Sequence, residues 1–169
     1  MRIETERLII TELTMDMAQD IHENSLDEDT RKFVPDEVFE TLGDAQEVIA
    51  CLISAYSTRT GPFVYAVLSK EDGRCIGYVQ MIPLEEGQWE VGYHIGKKYT
   101  GCGFATEALR AFLPVMKQNC AAGEVYGICL KENGASIRVL EKCGFTELYS
   151  GPGIYQGVRR DIVRTIHKA

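Results

Sequence analysis

A chain of 169 residues with 45% hydrophobic and 25% charged residues has the size and composition of one globular domain, residues 1–169, with enough apolar material for a buried core. A net charge of −7 argues against a general nucleic-acid binder, and no apolar run approaches the roughly 18 residues that a membrane-spanning helix needs. The opening MRIETERLII mixes charges of both signs and lacks the apolar stretch of a secretion signal, so a cytoplasmic location with no membrane partner is expected.

Along the chain, TERLIITEL (Thr5 to Leu13) is rich in strand formers, and a short amphipathic helix is predicted over Asp16 to Asn24. From Asp27 to Ala45 the sequence is charged and interrupted by Pro35, which leaves its conformation open. Apolar residues return at helical spacing over Asp44 to Ser57, with Asp44 as candidate N-cap. The period then changes. PFVYAVLSK and RCIGYVQMIP are strand-like runs joined by Glu71–Gly73, a hairpin signal, and WEVGYHIG is a third strand. Short connections make these neighbours antiparallel. After KKYTGCGFATEAL comes a helix, FATEALRAFLPVMKQ, which Pro114 should kink or bring into its last turns. EVYGICL is a strand, NGASIRVLEKCGF a short helix stopped at Gly144, and FTELYSG and VRRDIVRTIH are closing strands. The expectation is a mixed α/β fold: a mostly antiparallel sheet of roughly seven strands flanked by about four helices.

Six cysteines (51, 75, 102, 120, 129 and 143) include no C-x-x-C pair, and the three histidines do not join them in zinc-like spacing. No metal is expected, and reduced core residues are the simplest reading; Cys102, at a helix start, is the one whose thiolate would be favoured. Charge is unevenly spread. Residues 1–60 hold 14 Asp/Glu against 5 Lys/Arg, and the remainder 11 against 13. An acidic front and a mildly basic back suit a cationic substrate beside an anionic cofactor, although a solvated acidic surface explains the same count.

The two glycines in KKYTGCGFATEAL (Lys97 to Leu109) stand where a strand hands over to a helix. A Walker loop fails, because no Lys-Ser or Lys-Thr follows them. A dinucleotide fingerprint wants Gly or Ala where Thr106 stands, and it opens a βαβ unit rather than following hairpins. A simpler reading needs only backbone physics. Gly101 and Gly103 let the chain turn and approach a ligand, and the amides from Cys102 to Thr106 are the free donors of a starting helix, a site for an anion. A plain tight turn remains the alternative.

That loop, followed about thirty residues later by ENGASIRVLEKCGF and preceded by ETERLII and WEVGYHI, resembles the paired signature of the GNAT superfamily of N-acetyltransferases. Its details resemble the branch acting on ribosomal-protein N-termini and its relatives, and the resemblance runs from about residue 3 to 165. The resemblance implies a single GNAT-like domain that binds acetyl-CoA as co-substrate. Its pyrophosphate would lie on the loop formed by Gly101, Cys102, Gly103, Phe104, Ala105, Thr106 and Glu107. Its pantetheine arm would lie along the backbone of His94, Ile95 and Gly96. Asn133 would contact the arm, or serve merely as a helix N-cap. Thr100 departs from the Gln or Arg usual at the loop's start.

The implied chemistry is acyl transfer from a thioester to an amine in a ternary complex, which needs a neutral amine and therefore a base. Glu90 in WEVGY is the candidate base, if it does not simply face solvent; amides near Ile95 would meet the oxyanion. Leu140 stands where many relatives carry a tyrosine acid, and Ile128 at another family base position. Ser136 is therefore the candidate near the sulfur, with Tyr149 and Tyr155 as outlying alternatives. The acceptor would be a primary amine, a protein N-terminus or a small cationic compound, received by the acidic stretch Asp27–Glu47. A catalytically silent acyl-CoA sensor is the second reading and a nucleotide-dependent reductase the third. Oligomeric state stays open, a homodimer included.

Overall fold

The computed structural model describes residues 1–58 and 60–168, whose strands form one mixed sheet in the order β1-β2-β3-β4-β5-β6-β8-β7. The strands are β1 (Arg2–Glu4), β2 (Leu8–Glu12), β3 (Phe63–Ser69), β4 (Cys75–Pro83), β5 (Trp89–Ile95), β6 (Val125–Leu130), β7 (Thr146–Tyr155) and β8 (Val158–His167). The strand beyond the expected seven is β1. Its three residues are too few to show a period, and it exists by pairing Ile3 with Ile10 of β2. The Gln156–Gly157 turn, with φ of 46° and 73°, carries β7 on to Tyr155, past its expected end at Gly151.

Alternation along the strands divides the apolar residues between two cores, one on each face. Tyr65 and Val67 of β3 join α4 (Phe104–Asn119), whose Ala108, Leu109, Phe112, Leu113 and Met116 form one buried stripe. Truncating Phe112 to alanine there should cost about 3–5 kcal/mol. Val64 and Ala66 face the other way, against Ala18 and Ile21 of α1 (Ala18–Ser25) and Ile49 of α3 (Leu42–Ala55). Pro114 falls in the last turns of α4, which continues to Asn119.

Two local expectations shift. The cap of α3 is Thr41, not Asp44. Thr41 Oγ1 accepts from the Asp44 amide at 3.1 Å, and Asp44 Oδ2 accepts from the Thr41 amide at 2.8 Å, a reciprocal capping box that places Asp44 inside the first turn. The ambiguous stretch after Asp27 is α2 (Glu28–Phe33), capped by Asp27, followed by a 3₁₀ turn over Pro35–Glu37. Gly144 ends α5 (Gly134–Lys142) as expected. Cys75, Cys129 and Cys143 are buried, whereas Cys51 and Cys102 are exposed.

The feature that positions the site is the meeting of β5 and β6, the sheet's parallel pair. They are in register only at Trp89–Val125 and Glu90–Tyr126. Beyond those pairs β5 continues to Ile95 and β6 to Leu130 without each other, leaving two main-chain edges facing a gap.

Candidate active site

A cleft of about 650 Å³ fills the gap between β5 and β6. Its walls come from α2 and the Pro35–Glu37 turn on one face of the sheet and from α5 and the start of α4 on the other, with Tyr155 and Gln156 of the hairpin tip also lining it. That tip is held against the opposite wall, since Gln156 Oε1 accepts from the Asp36 amide at 3.2 Å.

The open edge of β5 is built by alternation. Gly96 gives its amide to Ile76 of β4 at 2.9 Å, and its carbonyl accepts from the Tyr99 amide at 2.8 Å. The His94 carbonyl also faces β4, where a Cβ on Gly77 would come within 2.0 Å of it. The main chain of residue 94 and the Gly96 amide are thus turned into the sheet and the Gly96 carbonyl is taken by the following turn, while the main-chain groups of Tyr93 and Ile95 are aimed at the cleft. Of His94, Ile95 and Gly96, only Ile95 is placed to pair with an added extended chain; Tyr93 escaped the sequence reading.

At the end of this edge lies the glycine loop. Gly101 (φ 79°) and Gly103 (φ 82°) are left-handed, and Gly103 is the N-cap of α4 with no side-chain cap. The amides of Phe104, Ala105 and Thr106 therefore lack backbone partners and line the cleft, while a Cβ at Gly101 would meet nothing. Glu107 is different: its amide already closes the helix on Gly103 at 3.0 Å, and neither it nor Cys102 lines the cleft. The Glu107 carboxylate accepts instead from Thr5 Oγ1 at 2.6 Å and from Arg7 Nε at 2.7 Å. Arg7 also donates to the Cys102 carbonyl at 3.0 Å and lies 4.5 Å over the Phe104 ring. This clamp on the loop went unnoticed in sequence, where Arg7 is one charge among several in ETERLII.

Glu90 shares a sheet face with Ile82 of β4 and Tyr126 of β6. Burial pushes its carboxyl up to about 7, with Arg164 pulling down and Glu37 pushing further up. Glu37 accepts hydrogen bonds from Tyr78 Oη and from Gln80 Nε2 at 3.1 Å, yet burial still holds its carboxyl above the usual range. Tyr155 lines the same end, and burial together with these two carboxylates raises its hydroxyl well above ordinary tyrosine. Arg164 sits 4.4 Å over the Tyr126 ring, its Nε buried without a partner.

Across the gap, Ser136 Oγ lies 2.9 Å from Tyr93 Oη, and the Ser136 amide donates to Asn133 Oδ1 at 3.1 Å. Asn133 is therefore the N-cap of α5 and also lines the cleft, with its side-chain nitrogen unengaged by any hydrogen bond among the described residues. Leu140 is buried against Gly127, and Ile128 lines the cleft without a titratable group. Tyr149 is exposed and donates to the Pro152 carbonyl at 2.9 Å, away from the cleft.

The His94 side chain lies on the α2 side. Its Nε2 is 2.8 Å from Thr30 Oγ1, whose proton goes to Asp27 Oδ2 at 2.8 Å, so Nε2 carries the hydrogen. Burial lowers the ring's pKa to about 4, which keeps it neutral. Charge differs between the walls: Asp27, Asp29, Glu37 and Glu90 line the cleft on the α2 side, and Arg138 and Lys142 on the α5 side, while Lys97 is paired with Asp29. No group of side chains suited to a metal ion occurs among the described residues. The arrangement can hold an anion on three amides, lay an extended chain along β5, and bring its end to Glu90, Ser136 and Tyr155.

Comparison with known proteins fits this geometry. The family model for the acetyltransferase (GNAT) domain matches residues 7–146. The chain is 26% identical to the Bacillus subtilis (strain 168) uncharacterised N-acetyltransferase YnaD over 145 residues, 85% of this chain and 82% of that protein. Its fold matches a GNAT-family acetyltransferase from Bacillus anthracis with a TM-score of 0.86 at 23% identity, covering 99% and 98% of the two chains. It also matches RimL, a ribosomal L7/L12 α-N-protein acetyltransferase solved with coenzyme A, with a TM-score of 0.84 at 15% identity over 99% and 98%.

Proposed function

The chain belongs to the acetyltransferase (GNAT) family, an N-acetyltransferase using acetyl-CoA, and we propose that residues 1–169 act as one domain that acetylates a cationic primary amine. The observation carrying this reading is the parted β5–β6 edge, which runs from unpaired amides at one end to a buried carboxyl at the other. Coenzyme A bound by RimL, on the same fold, supports placing the co-substrate here.

The loop fits a diphosphate. Phe104, Ala105 and Thr106 offer amides with the helix dipole behind them, and no side chain at Gly101 or Gly103 blocks approach. Tyr93 and Ile95 offer main-chain groups to the arm, and the Asn133 amide nitrogen adds a donor. Acetyl-CoA supplies the activated acetyl group and a thiolate leaving group.

Glu90 takes the proton from the acceptor's ammonium. A carboxyl near 7 is half ionised at neutral pH, close to the optimum for a base that must first accept and then release a proton. Of the two cleft-facing amides of β5, that of Ile95 pairs with the arm, and that of Tyr93, nearer Glu90 along the strand, meets the negative charge that grows on the acyl oxygen. The Tyr93 hydroxyl donates to the Ser136 carbonyl at 2.9 Å, so Ser136 Oγ donates to Tyr93 Oη at rest and hydrogen-bonds the departing sulfur by turning its proton away from Tyr93. Tyr155, beside Glu90, is an alternative proton donor. The acidic α2 wall attracts the amine, with a peptide N-terminus and a small polyamine both suitable in charge.

Leu140 in place of a tyrosine favours the second reading, a silent acyl-CoA binder. Thiol release from acetyl-CoA against a panel of primary amines separates the two. Turnover dependent on the amine is expected; tight coenzyme A binding with no turnover for any amine would overturn the enzymatic reading for this site.

A further inference from the structure

A second hollow of about 290 Å³ lies on the α1–α3 side of the sheet. Val48, Ile49 and Leu52 of α3 form one wall and Val64 of β3 contributes to the floor. Its rim reaches solvent, since Val48 is 38% exposed. Glu37, Gln80 and Ile82 line this hollow and the main cleft alike, so the two share a partition.

An apolar hollow left empty has a cost, because the side chains around it lose contacts on one side. Here the cost falls beside a carboxylate that is itself expensive to bury. Glu37 is oriented by Tyr78 and Gln80 and has no cation beside it among the described residues. A group that filled the hollow and carried a positive charge at the partition would offset both. The volume, at the lower edge of small-molecule sites, suits one side-chain-sized group rather than a whole cofactor.

Resting on the acetyl-transfer reading, we propose that this hollow is the acceptor's apolar subsite. The acceptor is then a primary amine carrying an aliphatic or aromatic group: the ammonium lies between Glu37 and Glu90, and the apolar group passes Ile82 into the α3 hollow. A bare polyamine would leave the hollow empty. An N-terminal residue with a large apolar side chain, or a free arylalkylamine, would fill it.

The test compares ethylamine, n-hexylamine and 2-phenylethylamine as acceptors with saturating acetyl-CoA. For the native enzyme, kcat/KM should rise at least about tenfold from ethylamine to the two larger amines, as expected for burying several methylenes. Val48→Phe, at a partly exposed site that tolerates the larger ring, should bring the hexylamine-to-ethylamine ratio down to about one while coenzyme A affinity is retained. Leu52→Trp, obstructing the same hollow from the next turn of α3, should do likewise. Equal kcat/KM across the native series, or a preference untouched by both variants, would overturn the subsite while leaving acetyl transfer standing. No turnover with any amine would overturn acetyl transfer and the subsite with it.

Discussion

Glu90 owes its raised carboxyl first to burial in an apolar strand end, with the charge of Glu37 on the same side of the cleft adding to it. Because a base works only when ionised, kcat/KM of the native enzyme should rise with pH through about 7. Glu90→Gln should lower turnover at neutral pH by about 100-fold, the lower end of what a positioned base contributes. It should also abolish the limb near pH 7, leaving only the rise that follows free amine, and an unchanged pH–rate profile would remove Glu90 from the chemistry. The same residue has a stability consequence. Its folded pKa lies above the unfolded value of 4.5, so the folded state holds an extra proton between about pH 4.5 and 7, and stability falls as pH rises through that window. Glu90→Gln removes this penalty and should stabilise the protein by up to about 3 kcal/mol at pH 8, with little gain at pH 4, measured by denaturant unfolding at both pH values. An acidic residue in a strand pattern was visible in sequence. Tyr155 stood out only as an outlying acid and Glu37 only as part of the acidic stretch; their place beside Glu90 was not legible, because they arrive from a hairpin tip and a 3₁₀ turn whose contacts are made only by folding.

Among the elements, the start of α4 and the short α2 each depend on one local arrangement. Gly103 is left-handed, so any side chain there carries strain of about 1–2 kcal/mol, and a carboxylate would in addition face the bound anion. Gly103→Ala should therefore weaken coenzyme A binding modestly, whereas Gly103→Asp should weaken it at least about 30-fold, with the two separated by calorimetric titration. Equal losses would mean that backbone geometry, not the anion site, sets affinity. In α2, the Thr30 hydroxyl links Asp27 to His94. Thr30→Val preserves shape but strands the His94 N–H, which should cost about 1–3 kcal/mol in unfolding free energy. The glycine loop and the capped α5 were legible because capping and left-handed turns are written in neighbouring residues. The Arg7 clamp was not: it joins positions about a hundred residues apart. Likewise the three strands of the central hairpins could be ordered from their short turns, while the insertion of β8 between β6 and β7 is a non-local pairing that no turn signal announces.

At the scale of the whole molecule, the parting of β5 from β6 divides the cleft into two electrostatic halves, and this division follows the chain's own charge distribution. The acidic first third supplies Asp27, Asp29 and Glu37 to the α2 wall, and the mildly basic remainder supplies Arg138 and Lys142 to the α5 wall. That sequence asymmetry was readable, but the parting was not, since both stretches read as ordinary strands, WEVGYHI and VYGICL, and an unpaired edge is a property of pairing alone. The halves should respond differently to salt. Asp29 is half-exposed and paired with Lys97, so its contribution at the mouth is screened within a Debye length of about 8 Å at physiological ionic strength. Glu37 is held inside by Tyr78 and Gln80 and is screened far less. Raising KCl from about 0.05 to about 0.5 M should therefore raise KM for a cationic amine only severalfold, through slower capture at the acidic mouth. Glu37→Gln should raise the same KM by about tenfold at either salt, because it removes a charge that solvent ions do not reach. Steady-state kinetics at the two ionic strengths read both effects. If added salt erases the difference between native enzyme and Glu37→Gln, the amine is drawn by the surface field alone, and Glu37 is a structural anchor for Tyr78 and Gln80 rather than a contact for the acceptor.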